Sequence, residues 1–223
     1  MHRGEVLLWI KRNPFLAVAL LASALALLAW ALTSRSSSWT GGGFNVSGPE
    51  MPRLREVLAL KTGMVVADVG AGKGQLTLAL DSAVGPAGHV FSSEIDPARL
   101  QALREMVAGA RLSNVTVVEA KTSESGLPAD CCDAIVLRRV YHHLTAPAAI
   151  NASLLRALRP GGLLAVIDIP PLLFFPARSS LGVAPQVVIN EVTASGFEMR
   201  QLHTDWPGRG PLESYCVLFR KPL

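Results

Sequence analysis

The run VVADVGAGKGQLTLAL, Val65 to Leu80, constrains what this chain can fold into more than any other stretch. A hydrophobic segment ends in Asp68, passes directly into Gly70, Gly72 and Gly74, and continues as an apolar pattern at helical spacing. Glycine takes up positive φ without strain and lets another group come close to the main chain. A strand, a bend and a helix are thus joined where a ligand can meet backbone. In an open parallel sheet that place is the crevice at the carboxyl ends of the strands. The alternative is a tight strand-to-helix turn that holds nothing.

From Pro49 onward, short β-branched runs alternate with helical patterns, which predicts parallel strands joined by crossover helices. Strands are expected at Val65–Val69, His89–Glu94, Val115–Glu119, Ala134–Arg138 and Leu163–Ile169, with helices opening near Gly74, Asp96, Ser123, Ala146 and Pro185. Asp96-Pro97 has the form of a helix cap, an acidic side chain followed by a proline at the first helical position. Two more strands, Glu198–Thr204 and Ser214–Phe219, flank the turn-rich Trp206-Pro207-Gly208-Arg209-Gly210 and predict a terminal antiparallel hairpin. The expected fold is α/β, a doubly wound Rossmann-like sheet of seven strands.

A nicotinamide-binding turn also places glycines after a first strand, but its fingerprint is G-x-G-x-x-G, and the sixth position from Gly70 is Gln75. The pattern hydrophobic-Asp-hydrophobic-Gly-x-Gly-x-Gly instead resembles the first motif of the class I S-adenosylmethionine-dependent methyltransferases. The likeness runs from Arg53 to Lys221 and implies the seven-stranded methyltransferase sheet, with S-adenosyl-L-methionine as cofactor. Asp68, Gly70, Ala71, Gly72 and Gly74 would then line its amino-acid end. VFSSEIDP, at the second strand end, places Glu94 where a carboxylate can accept hydrogen bonds from both ribose hydroxyls, and capping or solvation is the alternative. The resemblance gives Glu94 the ribose and packs Ile95 on the adenine. Many relatives have an Asp near Ala120–Lys121 for the adenine amino group; Lys121 stands here, leaving Thr122, Ser123 or Glu124 to make the contact.

RRVYHHL, Arg138 to Leu144, and LRPGG, Leu158 to Gly162, resemble small-molecule methyltransferases of the ubiquinone and menaquinone type. In such proteins the residues after strand four border the transferred methyl, which implies Arg138, Arg139, Tyr141, His142 and His143 as substrate-facing candidates. Imidazole exchanges protons near neutrality, so His142 suits a general base toward an oxygen or nitrogen nucleophile; packing beneath the next helix is the alternative for both histidines. Neither Asn-Pro-Pro-Tyr nor Asp-Pro-Pro-Tyr follows strand four, which weighs against exocyclic nitrogen acceptors. Asp168, Pro170-Pro171 and the apolar Leu172–Pro176 suggest a lid over an apolar substrate, or a segment dipping into a bilayer. The acceptor is therefore expected to be small or lipid-like. A non-catalytic interaction module on the same fold is the competing reading.

The chain has 50% hydrophobic and 17% charged residues, and the apolar excess lies in the first thirty-odd positions. Pro14 to Leu32 is nineteen residues without a charge, which at 1.5 Å per residue spans roughly 28 Å, close to a bilayer core. Trp9, Trp30 and Trp39 lie near its ends, where aromatic rings favour the interface. This predicts a flank at 1–13, a single-pass signal anchor at 14–32, a Ser/Gly-rich linker at 33–48 and the domain at 49–223. A cleaved signal peptide with an exported domain is the alternative, given Ala29-Trp30-Ala31. Arg3, Lys11 and Arg12 point to a cytoplasmic N-terminus, whereas cofactor supply and Arg35, Arg53, Arg55 and Lys61 favour a cytosolic-facing domain. A net charge of +4 without a basic run gives nucleic-acid binding no support. Cys131, Cys132 and the third cysteine, Cys216, form neither a disulfide framework nor a zinc spacing and read as reduced thiols; no metal is expected.

Overall fold

The expected β-branched runs become β1 (Val65–Val69), β2 (His89–Glu94), β3 (Val115–Glu119), β4 (Cys132–Arg138) and β5 (Leu158–Asp168) in a computed structural model, which describes residues 48–171, 177–179, 181–207 and 214–223. Neighbours among these five pair in parallel. The chain then adds a two-stranded hairpin, β6 (Arg178–Ser179) and β7 (Gly182–Val183), and closes the sheet with β8 (Glu198–Trp206) and β9 (Ser214–Arg220). The sheet order is β3-β2-β1-β4-β5-β9-β8, with β9 antiparallel to both neighbours. Strand order therefore reverses between β1 and β4. This switch point leaves a crevice at the carboxyl ends of two adjacent strands.

Among the described residues five helices cover the faces: α1 (Glu50–Val57), α2 (Gln75–Val84), α3 (Pro97–Gly109), α4 (Pro147–Ala157) and α5 (Pro185–Ala194). Proline opens α3, α4 and α5, where its missing N–H leaves no hydrogen bond unmade. Asp96 caps α3 as expected, accepting the Arg99 N–H at 2.9 Å. Alternation along the strands sends Val66, Val136 and Ile167 to one face, packed with Leu54 of α1 and Leu76 and Leu80 of α2. It sends Val69, Leu137 and Val166 to the other, against Leu154 of α4 and Val188 of α5. At about 25 cal/mol per Å² of apolar surface, these two layers supply the main driving force for folding. The three cysteines are free thiols, two of them buried.

One expected helix is absent: none opens at Ser123. Residues 120–131 form an irregular connection with a single bridge between Lys121 and Glu124, followed by Gly126 at φ +77° and Pro128. A β-carbon at Gly126 would lie 2.5 Å from the Glu119 carbonyl oxygen, so the chain there must turn back on β3 rather than coil. The segment docks instead through Ser125, whose hydroxyl lies 2.7 Å from that of Ser153 on α4. The expected anchor at 14–32, its flank and nearly all of the linker lie outside the described residues, as does the expected lid at Leu172–Pro176. Among the described residues no helix is long and apolar enough to cross a membrane.

Candidate active site

Each glycine of the β1–α2 turn has positive φ: +73° at Gly70, +57° at Gly72 and +78° at Gly74. Their surroundings differ. A β-carbon at Gly70 would sit 2.4 Å from Cγ2 of Val140, just past β4, and one at Gly74 would sit 2.1 Å from Cε of Met106 on α3. At Gly72 it would meet nothing within 4 Å. Gly70 and Gly74 thus allow close packing of neighbouring elements, and Gly72, with partly exposed Ala71 beside it, presents open backbone to a ligand.

Asp68 and Glu94 lie on the same face of the sheet, at the carboxyl ends of adjacent strands. Asp68 is 2% exposed and accepts the Thr77 hydroxyl at 2.7 Å. Burial pushes its carboxyl up to about 6, against the opposing pull of Thr77 and Arg138. Glu94 is 3% exposed. Its Oε1 accepts the Ile95 and Asp96 N–H groups at 2.9 and 3.0 Å, and its Oε2 accepts the Gly72 N–H at 2.8 Å. A carboxylate has about four lone-pair positions, so three are filled from the backbone. The remaining one, on Oε2, suits one hydroxyl; accepting two would require Gly72 to let go. Ile95, next in the chain, is 51% exposed, an apolar platform beside the carboxylate. An open Gly72, an unfilled position on Glu94 and exposed Ile95 fit the ribose and base of a nucleoside. Thr122 and Lys121 lie in an exposed turn beyond β3, while Glu124 pairs with Arg156 at 2.8 Å.

The segment after β4 sorts its candidates differently from expectation. Tyr141, expected to face substrate, is a core residue: it is fully buried, its hydroxyl accepts Asn151 Nδ2 at 2.8 Å, and burial raises its phenol well above the ordinary value. Arg178 of β6 lies over its ring at 5.3 Å and donates to its carbonyl at 2.7 Å. Arg138 is held in a two-point ion pair with Glu50 of α1, at 2.7 and 2.9 Å, and Trp206 Nε1 donates to the same carboxylate at 3.3 Å. It fastens α1 to the sheet.

His142 behaves otherwise. Its Nδ1 lies 2.7 Å from Asp168 Oδ1 at the end of β5, and its backbone N–H donates to Oδ2 at 3.1 Å. Asp168 is fully buried, and the His142 side chain is 7% exposed. A carboxylate only accepts, so Nδ1 carries the hydrogen and Nε2 of the neutral ring keeps its lone pair. Among the described residues Nε2 has no hydrogen-bond partner. His143 is exposed, its ring 3.9 Å from that of His142, and burial together with His142 lowers its pKa. The sequence alone puts Asp168 at the start of a lid or of a bilayer-dipping segment; the signal it lacks is that β4 and β5 end in register, Arg138 opposite Ile167. No cluster able to hold a metal ion occurs among the described residues.

Residues 67–166 match the methyltransferase domain family. With the sheet order and the glycine turn at its switch point, this match supports the class I S-adenosylmethionine-dependent methyltransferase fold for the domain. The chain is 31% identical over 117 residues to the ubiquinone/menaquinone biosynthesis C-methyltransferase of Vibrio vulnificus (strain YJ016), covering 52% of this chain and 45% of that protein. It is 30% identical over 127 residues to the protein-L-isoaspartate O-methyltransferase of Ignicoccus hospitalis, covering 56% and 57%. The chain thus spans about half the length of these relatives. In fold it resembles a SAM-dependent methyltransferase from Aquifex aeolicus, with TM-score 0.68 and 22% identity over 80% of this chain and 99% of that one.

Proposed function

We propose that the protein transfers a methyl group from S-adenosylmethionine to a small or lipid-like acceptor whose nucleophile gives up a proton to His142. One observation carries this reading: Gly70 packs directly on Val140, so the glycine turn lies against the segment that leads into His142, whose ring Asp168 holds. When bound, the cofactor supplies a methyl already activated by its sulfonium. What is left to the protein is mainly alignment. The open backbone at Gly72 would receive the amino-acid end, the free position on Glu94 a ribose hydroxyl, and Ile95 the base. Asp168 fixes the ring of His142 so that Nε2 can take the proton of an O–H or acidic C–H as the bond to carbon forms. A nucleophile that carries a proton at neutral pH needs such a group; a free amine does not.

Calorimetry with S-adenosylhomocysteine and turnover with methyl-labelled cofactor, using a metabolite extract to find the acceptor, test the reading together. Wild-type protein should bind the nucleoside at micromolar concentration. His142→Ala and Asp168→Asn should each lower turnover by about 10²-fold or more while changing that affinity less than threefold. Equal turnover in the variants would remove the base. Absence of binding by wild type would favour the non-catalytic reading.

The membrane anchor belongs to this proposal as well. The hydropathy of Pro14–Leu32 supports a single-pass attachment that would bring the domain to apolar acceptors, with a cleaved leader as the other outcome of N-terminal sequencing.

A further inference from the structure

Arg139 follows β4 with φ +55°, a conformation that non-glycine residues adopt at a penalty and that clusters at functional sites. Its N–H donates to the Ile167 carbonyl at 2.7 Å, which fixes the residue between the carboxyl ends of β4 and β5. The side chain is half-buried, and among the described residues the guanidinium makes no hydrogen bond or ion pair. Two carboxylates lie within its field, Glu50 and Asp168. Both are committed: Glu50 to Arg138 and Trp206, and Asp168 to the ring and backbone of His142 and the Ile169 N–H at 2.9 Å. Burial and the adjacent Arg138 depress its pKa.

We infer that Arg139 recognises a carboxylate on the methyl acceptor, held beside the His142–Asp168 dyad, so that the acceptor is a small organic acid. The inference rests on the methyl-transfer reading. Three features of the surroundings direct it. The backbone of Arg139 is tied to the carboxyl end of β5, and Asp168 of β5 and Glu50 of α1 are the carboxylates that act on its charge. A single guanidinium presents a planar fork of donors that matches one carboxylate. A phosphate monoester would call for a second cation, and the adjacent Arg138 is bound to Glu50. The bent backbone would then serve recognition, because it turns Arg139 out of the β4 alternation that places Arg138 against α1.

The test uses the full-length, detergent-solubilised protein and two pairs of probes in calorimetry. S-Adenosylhomocysteine is compared with 5′-methylthioadenosine, the same nucleoside without the amino-acid carboxylate. Benzoate is compared with benzamide on protein saturated with S-adenosylhomocysteine. Wild type is expected to prefer benzoate over benzamide by tenfold or more. R139Q and R139G, the second also free of the left-handed strain, should abolish that preference, R139K should keep part of it, and none should change either nucleoside affinity by more than twofold. A tenfold loss for S-adenosylhomocysteine but not for 5′-methylthioadenosine would overturn the acceptor assignment and give the anion to the cofactor. No carboxylate preference in wild type, or one that survives R139Q, would overturn the proposal while leaving methyl transfer intact. If wild type binds neither nucleoside, the methyl-transfer reading falls and takes this inference with it.

Discussion

Asp68 holds its proton more tightly than a solvated carboxyl would, because burial outweighs Thr77 and Arg138 and lifts its pKa from 3.8 to about 6. The folded state thus prefers the protonated form. Its contribution is fully present below pH 3.8 and is lost as pH rises through 6, a difference of about 3 kcal/mol from the linkage of protonation to folding. Asp68→Asn, which keeps an acceptor for the Thr77 hydroxyl but cannot ionise, should therefore be more stable than wild type at pH 7.5 and equal to it near pH 3.5. Urea unfolding at the two pH values measures this, and a constant difference would show that ionisation of Asp68 has no part in it. The sequence made Asp68, Glu94 and the three glycines legible, because strand, acid and alternating glycine are local signals. It could not tell Gly72, which faces open space, from Gly70 and Gly74, whose neighbours come from distant segments. Nor could it separate Tyr141 from His142: adjacent in sequence, they differ in whether the 3-10 turn at Tyr141–His143 points them to the core or to Asp168.

Between elements, two contacts decide whether the site is assembled. The first is the buried pair Glu50–Arg138, with side chains 6% and 9% exposed. Glu50→Ala removes both bonds of the buried Arg138 guanidinium to α1 and should lower stability by about 3–5 kcal/mol; a loss under 1 kcal/mol in chemical unfolding would mean that α1 is not pinned there. The second is Gly70 on Val140. Gly70→Ala adds a methyl where Val140 already stands, in addition to the strain of positive φ, so Val140→Ala should recover part of the loss. A double-mutant cycle should show a favourable coupling of about 1 kcal/mol or more, and additive effects would place the clash elsewhere. Strand runs were readable as elements because β-branched residues cluster in them. Helix α1 was not, since EMPRLREV is short and carries Pro52, and its anchor Glu50 is 88 residues from its partner. The helix expected at Ser123 failed for the opposite reason: a plausible cap opened a segment that Gly126 and Pro128 could not continue.

At the scale of the whole molecule, the order β3-β2-β1-β4-β5-β9-β8 gathers residues from five separate stretches of chain at one end of the sheet. The α/β alternation and the terminal hairpin were enough to anticipate a doubly wound sheet of seven strands; its order, like the pairing of His142 with Asp168, needed the structure itself. The N-terminal run is a separate matter from the domain. Residues 45–223 should stay in solution on ultracentrifugation and keep the affinity of the full chain for S-adenosylhomocysteine within threefold, whereas the full chain should sediment with membranes. Equal partitioning of both would refute the anchor. The bond from Gly72 to Glu94 gives this molecule one more property. The acid poised to greet the sugar already serves as a latch on the loop beneath it, so a first hydroxyl simply adds, and only a second has to trade places with the loop's amide. A nucleoside gripped through both hydroxyls therefore opens the latch, and the loop's amide should then exchange its hydrogen faster in the very state where the rest of the domain exchanges more slowly; a nucleoside gripped through one should leave it protected.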